Sequence, residues 1–328
     1  MTELYAALFN EILRSFCDFA LLNGLVGDGW SPIEEWEMLQ KTIVIGFAAL
    51  ALGACSAAPS IKPDQGRLLA TGAVSQVEGS AGSGLTNWAV ISGYGSNTSW
   101  GGNTHYTQVE LPDFQLRSYG ASVGIKNRVE LSYARQDFDL GDTGPKLGLR
   151  DGYTFSQDII GAKVRVIGDA VYDQDSWLPQ ISVGAQYKKN QNSDLIAALG
   201  AQDDEGVDVY VSGTKLLLNN GLILTGTARG TKANQLGLLG FGGDQSDNYQ
   251  LEFEGSAAYM FNKHLAVGVD YRTKPDNLGF AEENDGAAAY VAWFPSKNIS
   301  LTAAYVDLGD IALQENQSGA YGSIQIGF

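Results

Sequence analysis

Ten charged residues of this chain share one kind of position. Each lies on the polar side of a stretch in which apolar and polar residues alternate. Charges that face water together can attract or repel small solutes, a chemistry without a covalent step. The ten residues are Glu130, Lys163, Arg165, Lys188, Asp208, Arg229, Glu252, Glu254, Asp270 and Arg272.

The two histidines, His105 and His264, are the side chains best suited to acid–base catalysis. His264 lies in a short turn and His105 at the start of a strand, and neither has a serine or carboxylate at the spacing of a triad. Two histidines without a cysteine pair also disfavour a transition-metal site. We therefore expect no enzyme, no metal and no cofactor. A lipid enzyme of the outer membrane is the less favoured alternative.

Acidic clusters occur at 169–175, 202–205, 244–247 and 282–285. None has the regular ligand spacing of a calcium-binding loop, so solvated loop charge is the favoured interpretation. Divalent bridging to lipopolysaccharide is the alternative. The run GFGG at 240–243 has no following lysine and no helix, so it predicts a flexible loop and not a phosphate site.

The elements that must position these charges are strands. From Arg67 onward the hydrophobic pattern has a period of two, clearest in 249–261, 265–272 and 299–305, with no convincing 3.6-residue period. Strands of about 10 residues match a tilted crossing of a bilayer. Aromatic girdles at the two membrane surfaces are expected from Trp88, Tyr119, Tyr133, Tyr187, Tyr259, Phe261, Tyr271, Trp293, Tyr305 and Phe328.

The connections between strands alternate in length. Tight turns are predicted at 125–128, 218–221, 261–264 and 295–298. Between them lie longer polar stretches at 139–154, 189–205, 232–246, 274–284 and 309–317. Short turns at one end and long loops at the other are typical of outer-membrane barrels, whose short turns face the periplasm.

The pattern predicts an all-β fold, a transmembrane antiparallel up-and-down β-barrel of about 14 strands. The first two predicted strands are 68–78 and 86–96. The Gly-rich run at 78–84 favours an alternative in which this region forms a short segment inside the lumen and 12 strands remain. The other predicted strands are 104–111, 114–124, 128–138, 155–167, 178–189, 206–218, 221–231, 247–261, 263–273, 285–294, 297–308 and 318–328.

The chain ends on AYGSIQIGF, with apolar or small residues at alternate positions up to the terminal aromatic residue. Because a barrel in lipid has no free edge, this strand is expected to close the barrel against the first strand. Ile324, Ile326 and Phe328 also resemble the C-terminal signal that the bacterial barrel-assembly machinery reads.

An export signal is predicted at 38–58, where a short apolar run follows Lys41. Its LGAC at 52–55 resembles a lipobox, which would lipidate Cys55; cleavage near residues 57–58 is the alternative. Residues 1–37 are acidic, unlike the start of a signal, and indicate an upstream extension or a mis-assigned start. The barrel domain is then 59–328.

Five stretches of the chain carry a resemblance to a known family. They are LATGAVSQVEGSAGSGL at 69–85, GDAVYDQDSWLPQ at 168–180, GTKANQLGLLGFGGD at 230–244, YRTKPDNL at 271–278 and AWFPSKNISLTAAYVDLGDIA at 292–312. They resemble a family of outer-membrane proteins of Gram-negative bacteria known as domain of unknown function 3034. The resemblance covers most of 66–328; it implies an exported transmembrane barrel and supplies no activity.

The favoured function is a porin-like passive channel for small polar or charged solutes. In an open lumen, we expect a transverse electric field between two sides of the wall. The positive side would carry Lys163, Arg165 and Lys188, and the negative side Glu252, Glu254 and Asp270. Alternatively, these charges pair and fill a closed lumen, and the loops carry out binding. Expected partners are outer-membrane lipid, lipopolysaccharide and the assembly machinery. A net charge of −16 disfavours nucleic acid.

Overall fold

The computed structural model describes residues 66–146, 148–173 and 176–328. The predicted extension 1–37, the signal 38–58 and Cys55 lie outside these residues. Two short strands come first, β1 (Val74–Ser75) and β2 (Ala81–Gly82). The long strands are β3 (Trp100–Glu110), β4 (Gln115–Ile125), β5 (Val129–Asp139), β6 (Thr154–Ile167), β7 (Gln180–Asn190), β8 (Glu205–Leu217), β9 (Leu222–Thr231), β10 (Gln250–Asn262), β11 (Leu265–Arg272), β12 (Gly286–Ser296), β13 (Ile299–Asp307) and β14 (Ser318–Gly327).

The long strands, β3 to β14, form a closed antiparallel barrel of twelve strands in chain order. The last strand pairs with the first, with Tyr321 opposite Val109, so the wall has no free edge. The prediction of about 14 strands is wrong, and the alternative of 12 is confirmed. The stretches 68–78 and 86–96 are not part of the wall, because the barrel closes without them and they lie inside it.

The connections are sorted by length between the two ends of the barrel. At one end, the short-turn end, strands are joined through 126–128, 218–221, 263–264 and 297–298. The other, long-loop end carries 140–153, 191–204, 232–249, 273–285 and 308–317. Two connections break the rule: 111–114 is short at the long-loop end, and 168–179 is long at the short-turn end.

Four short helical elements lie in these connections. Two are α-helical, α1 (Thr143–Lys146) and α2 (Ser193–Ala198), and two are 3-10 turns, Leu218–Asn220 and Asn234–Gly237. Within the described part of the chain, none of the helices is both long enough and apolar enough to cross a membrane.

The outer face of the wall is apolar at mid-height and aromatic towards the ends. Tyr133 donates its hydroxyl to Asp158 (2.7 Å) and Tyr187 donates to Glu205 (2.7 Å), both towards the long-loop end. Tyr119, Tyr271 and Tyr305 make similar contacts there with Asp137, Asp285 and Ser318. Exposed Tyr259, Phe261 and Trp293 lie towards the short-turn end.

Two residues predicted for the girdles lie elsewhere. Trp88 is buried inside the barrel, because the stretch that carries it is not a wall strand. Phe328 packs edge-on against Trp100, with ring centroids 5.2 Å apart. Ile324 and Ile326, by contrast, are exposed on the outer face of β14.

The lumen is occupied by residues 66–99, which we call the lumen segment. Every residue from Ala70 to Gly95 is buried, and β1 and β2 pair with each other inside the barrel. Apolar side chains lie on either side of the segment's middle. Towards the long-loop end, Val77 and Leu85 pack with Leu238 and Leu239 of the inward-folded loop 232–249. Towards the short-turn end the apolar cluster includes Trp88, Val90, Val171, Leu216 and Phe294.

Candidate functional site

The wall around the lumen segment is polar because alternate residues of each strand point inward. Eight of the ten charged residues predicted to line the lumen are buried there. Arg165 pairs with Asp169 at the short-turn end, and Glu252 accepts a hydrogen bond from Thr273 towards the long-loop end, so these two lie apart from the rest. The buried eight are Glu130, Lys163, Lys188, Asp208, Arg229, Glu254, Asp270 and Arg272.

Five of these charges form a ladder of alternating sign on five consecutive strands, β7 to β11. Lys188 Nζ lies 2.7 Å from Asp208, and Asp208 lies 3.2 Å from Arg229. Arg229 lies 2.6 Å from Glu254, and Glu254 lies 3.8 Å from Arg272. We call these five residues the charge ladder. Each carboxylate is shared by two cations, which is the arrangement that offsets part of the desolvation cost of buried charges.

Glu78 of the lumen segment supplies the sixth charge of this cluster. Arg272 donates to its two carboxylate oxygens at 3.0 and 3.2 Å, and Lys188 also contacts it. The Arg229 guanidinium lies 3.7 Å from the Glu78 carboxylate, and the side-chain amide of Gln76 donates to this carboxylate at 2.8 Å. The three cations of the ladder exceed its two carboxylates by one, so Glu78 makes the cluster neutral.

A second charged pair lies beside the ladder, between Glu130 on β5 and Lys163 on β6 (3.1 Å). Glu130 accepts from the backbone amides of Ala81 (3.1 Å) and Ser92 (2.8 Å). Lys163 donates to the carbonyls of Ala81 (3.2 Å) and Trp88 (3.0 Å). The pair therefore fixes the irregular backbone of the lumen segment to the wall.

The expected separation of positive and negative sides of the wall is wrong. Lys163 pairs with Glu130 on the neighbouring strand, and Lys188 pairs with Asp208, so no side of the lumen carries a single sign. The physical reason is desolvation: once the segment excludes water, an unpaired charge costs several kcal/mol or more, and close pairing of opposite charges offsets that cost.

Neutral wall side chains complete the contact with the segment's backbone. Thr227 on β9 donates to the carbonyl of Asn87 (2.8 Å), and Gln136 on β5 donates to that of Val77 (2.8 Å). The charged Asp270 on β11 adds to these contacts, because it accepts from the Leu85 backbone amide (3.1 Å) and from the Ser83 hydroxyl (2.7 Å). Such bonds are needed because the segment has little regular structure of its own to pair its amides and carbonyls.

The lumen segment begins and ends at the short-turn end. The Arg67 amide donates to the Tyr94 carbonyl (3.2 Å), and the Arg67 guanidinium donates to the carbonyls of Ile91 (2.5 Å) and Gly93 (3.1 Å). The Tyr94 amide donates to the carbonyl of Phe328 (3.0 Å). The segment is thus a loop inserted from one end, with Glu78 deep in the lumen.

Glu78 was missed by sequence reasoning, although it lies in the Gly-rich run that suggested a segment in the lumen. Its signal is an acid at the start of a run of small residues, EGSAGSG at 78–84, that no wall strand explains. Of the two histidines, His105 faces the lumen, and neither of its ring nitrogens has a hydrogen-bond partner among the described residues. His264 lies in a turn, with Nδ1 2.6 Å from the Phe294 carbonyl.

Solved structures similar to this chain include three outer-membrane proteins. A KdgM porin in complex with disordered oligogalacturonate is 11% identical, over 99% of its chain and 69% of this one, with a TM-score of 0.46. The Acinetobacter baumannii outer membrane protein Omp33 is 8% identical, over 98% and 70%, with a TM-score of 0.43. Outer membrane phospholipase A from Escherichia coli is 10% identical, over 94% and 72%, with a TM-score of 0.39. No curated protein matches the chain.

The architecture of the barrel indicates where the protein resides. The closed antiparallel barrel has no edge strand with unpaired amides and carbonyls, and its outer face is apolar between two aromatic zones. These are the features of proteins that span the bacterial outer membrane, which is where this protein resides. A family model described as protein of unknown function, DUF3034, matches residues 71–325, from the lumen segment to β14. The resemblance seen in the sequence is thereby confirmed, and the chain belongs to the DUF3034 family.

Proposed function

We propose that the protein is a normally closed channel for small polar or charged solutes, and that the lumen segment is its gate. The observation that carries the proposal is that this segment enters and leaves the lumen at the same, short-turn end. It can therefore withdraw as a loop without being threaded through the barrel. Withdrawal leaves a wall lined by charged, amide and hydroxyl side chains, which water can solvate.

The proposal includes no enzymatic step. His264 is engaged with a backbone carbonyl, and His105 faces a packed lumen. A permanently sealed barrel that acts through its loops is the second candidate. The apolar clusters on both sides of the segment's middle favour it, because moving them into water costs about 25 cal/mol for each Å² of apolar surface. The two candidates differ in whether the segment ever leaves.

A disulfide lock between segment and wall separates them. Ser92 Oγ of the lumen segment lies 2.6 Å from Ser122 Oγ on β4, so a Ser92→Cys/Ser122→Cys variant is placed to form a disulfide. The full chain is expressed with Cys17 and Cys55 replaced by serine, and the exported barrel is purified for planar-bilayer recording. Each single-cysteine variant serves as a control.

We expect rare, salt-dependent conductance steps from the parent protein. They should disappear from the oxidised double-cysteine variant and return on reduction. Steps that persist in the oxidised variant would show that the lumen segment is not the gate. No steps from any folded variant, including one with the loosened segment of Thr227→Val, would overturn the channel proposal in favour of the sealed barrel.

A further inference from the structure

The Glu78 carboxylate is held in the way that proteins hold a bound carboxylate ligand. The Arg272 guanidinium donates to both carboxylate oxygens, at 3.0 and 3.2 Å, and the Lys188 ammonium contacts the same carboxylate as a second cation. This bidentate interaction is the geometry by which arginine recognises carboxylates in binding sites. The acid itself belongs to the segment inside the lumen, whereas every cation belongs to the wall.

The charge ladder alone carries one cation more than carboxylates. Asp208 and Glu254 share its three cations, and among the described residues Glu78 is the third carboxylate in contact with them; Asp270, another buried carboxylate of the wall, accepts hydrogen bonds from the lumen segment instead. Arg229 has its own carboxylates at 3.2 and 2.6 Å and lies 3.7 Å from Glu78. The donor that depends most on Glu78 is therefore Arg272, whose other carboxylate, Glu254, lies 3.8 Å away, whereas Lys188 is shared between Glu78 and Asp208. When the segment withdraws, these two donors face the lumen.

We propose that Lys188 and Arg272 form a binding site for a small carboxylate solute, and that Glu78 occupies this site while the channel is closed. The solute takes the place of Glu78 when the lumen segment withdraws, so a carboxylate both passes the ladder and stabilises the open state. This inference rests on the proposed channel function for its role in transport. The binding site itself can be tested without any conduction.

The binding test uses chemical rescue of the full chain. Glu78→Ala removes the carboxylate and one methylene, and it leaves an emptied space beside Lys188 and Arg272 that the carboxylate of a small acid such as propionate can enter. The exported barrel is unfolded and refolded in detergent with propionate, or with propionamide, which has a similar size and no charge. We expect propionate alone to raise the Tm of Glu78→Ala, by about 2–4 °C at roughly five times its dissociation constant.

Two matched variants show where the anion binds. Glu78→Gln loses the charge but fills the space, so propionate should not raise its Tm. Glu78→Ala/Arg272→Met has the same space but lacks the guanidinium that binds the carboxylate, so propionate should no longer raise the Tm. If Glu78→Ala folds only poorly, the refolded fraction replaces Tm as the readout. Equal effects of propionate and propionamide, or rescue that survives Arg272→Met, would overturn the carboxylate site.

The transport role is tested in the bilayer with the parent protein. Propionate is expected to increase the fraction of time in which the channel is open, and propionamide is not. Thr227→Val is the control for simple loosening: it removes a neutral bond to the segment, so it should open the channel without removing the response to propionate. Rescue without any conductance would refute the channel and keep the site, whereas conductance without rescue would keep the channel and refute the site.

Discussion

Lys163 Nζ lies 3.1 Å from Glu130 Oε2, and both side chains also bond to the backbone of Ala81 at the centre of the lumen. The pair therefore holds two wall strands and the lumen segment at once. Both residues are buried, so each charge depends on the other for its stability.

We expect Lys163→Met to destabilise the barrel by about 3–5 kcal/mol, because the Glu130 carboxylate is left buried without its cation. The measurement is urea unfolding of the refolded barrel, together with protease digestion of the lumen segment. Replacing both partners, in Glu130→Gln/Lys163→Met, should recover part of the loss. Equal losses in the single and double variants would show that the loss does not come from an unpaired Glu130 carboxylate.

The fold around Glu283 is predicted to be more stable at lower pH. Both carboxylate oxygens of Glu283 accept from the backbone amide of Gln235, each at 2.9 Å. Burial raises the pKa of Glu283 to about 7; Asp276 and Glu252 add to the rise, whereas Lys274 and the Gln235 amide oppose it. Because this pKa lies above the ordinary value of 4.5, the stabilisation is fully present below about pH 4.5 and is lost as the pH rises through 7.

Glu283→Gln tests this dependence, since the amide keeps the shape of the protonated carboxyl. The Tm of the parent protein should fall, relative to that of the variant, by several degrees between pH 5.5 and pH 8. Other titrating groups are shared by the two proteins and cancel in the comparison. A parent and a variant whose Tm values change in parallel over this range would contradict a buried, titrating Glu283.

Most of the barrel wall was predictable because lipid imposes a rule on every strand. Apolar residues must alternate with inward polar ones, and the short turns at 263–264 and 297–298 join neighbouring antiparallel strands, with a shift of register beside each turn. The lumen segment obeys no such rule. Its irregular backbone is satisfied by wall side chains from distant parts of the chain, such as Thr227 and Gln136, and no local pattern encodes those partners.

The candidate site was predictable only as a set of inward charges. The alternation of polar and apolar residues assigned Lys188 and Arg229 to the lumen. It could not give their positions along the barrel axis, because these depend on the stagger between strands. Arg165 and Glu252 satisfy the same alternation and lie near opposite ends. Glu78 was missed because its role follows from a charge balance that exists only after the strands are paired.

A glycine in the wall is expected to control the position of Arg229. Gly184 on β7 faces the Tyr210 ring, and an added Cβ would overlap that ring. The Arg229 guanidinium lies over the Tyr210 ring, 5.0 Å from the ring centroid. Gly184→Ala should therefore destabilise the barrel by about 1–3 kcal/mol through overpacking.

Gly226→Ala is the matched control, because an added Cβ there meets nothing within 4 Å. It should leave the urea midpoint unchanged or slightly raised. If the two alanine variants unfold at the same urea concentration, Tyr210 has room to move and the packing around Arg229 is looser than the structure indicates.

The C-terminal residue is predicted to act in assembly beyond its contribution to stability. Phe328 packs against Trp100, and its carbonyl accepts the amides of Tyr94 and Gly102, both at 3.0 Å. We expect deletion of Phe328 to lower the amount of barrel in the outer membrane several-fold, because the terminal aromatic residue that the assembly machinery is proposed to read is lost.

Trp100→Ala is the control variant. It removes the same ring contact, worth about 0.5–1.5 kcal/mol beyond its buried area, and keeps the terminus. Quantifying the heat-modifiable folded barrel in outer membranes compares the two variants. If both lower its amount equally, Phe328 acts through packing alone; if deletion has the larger effect, β14 carries the assembly signal.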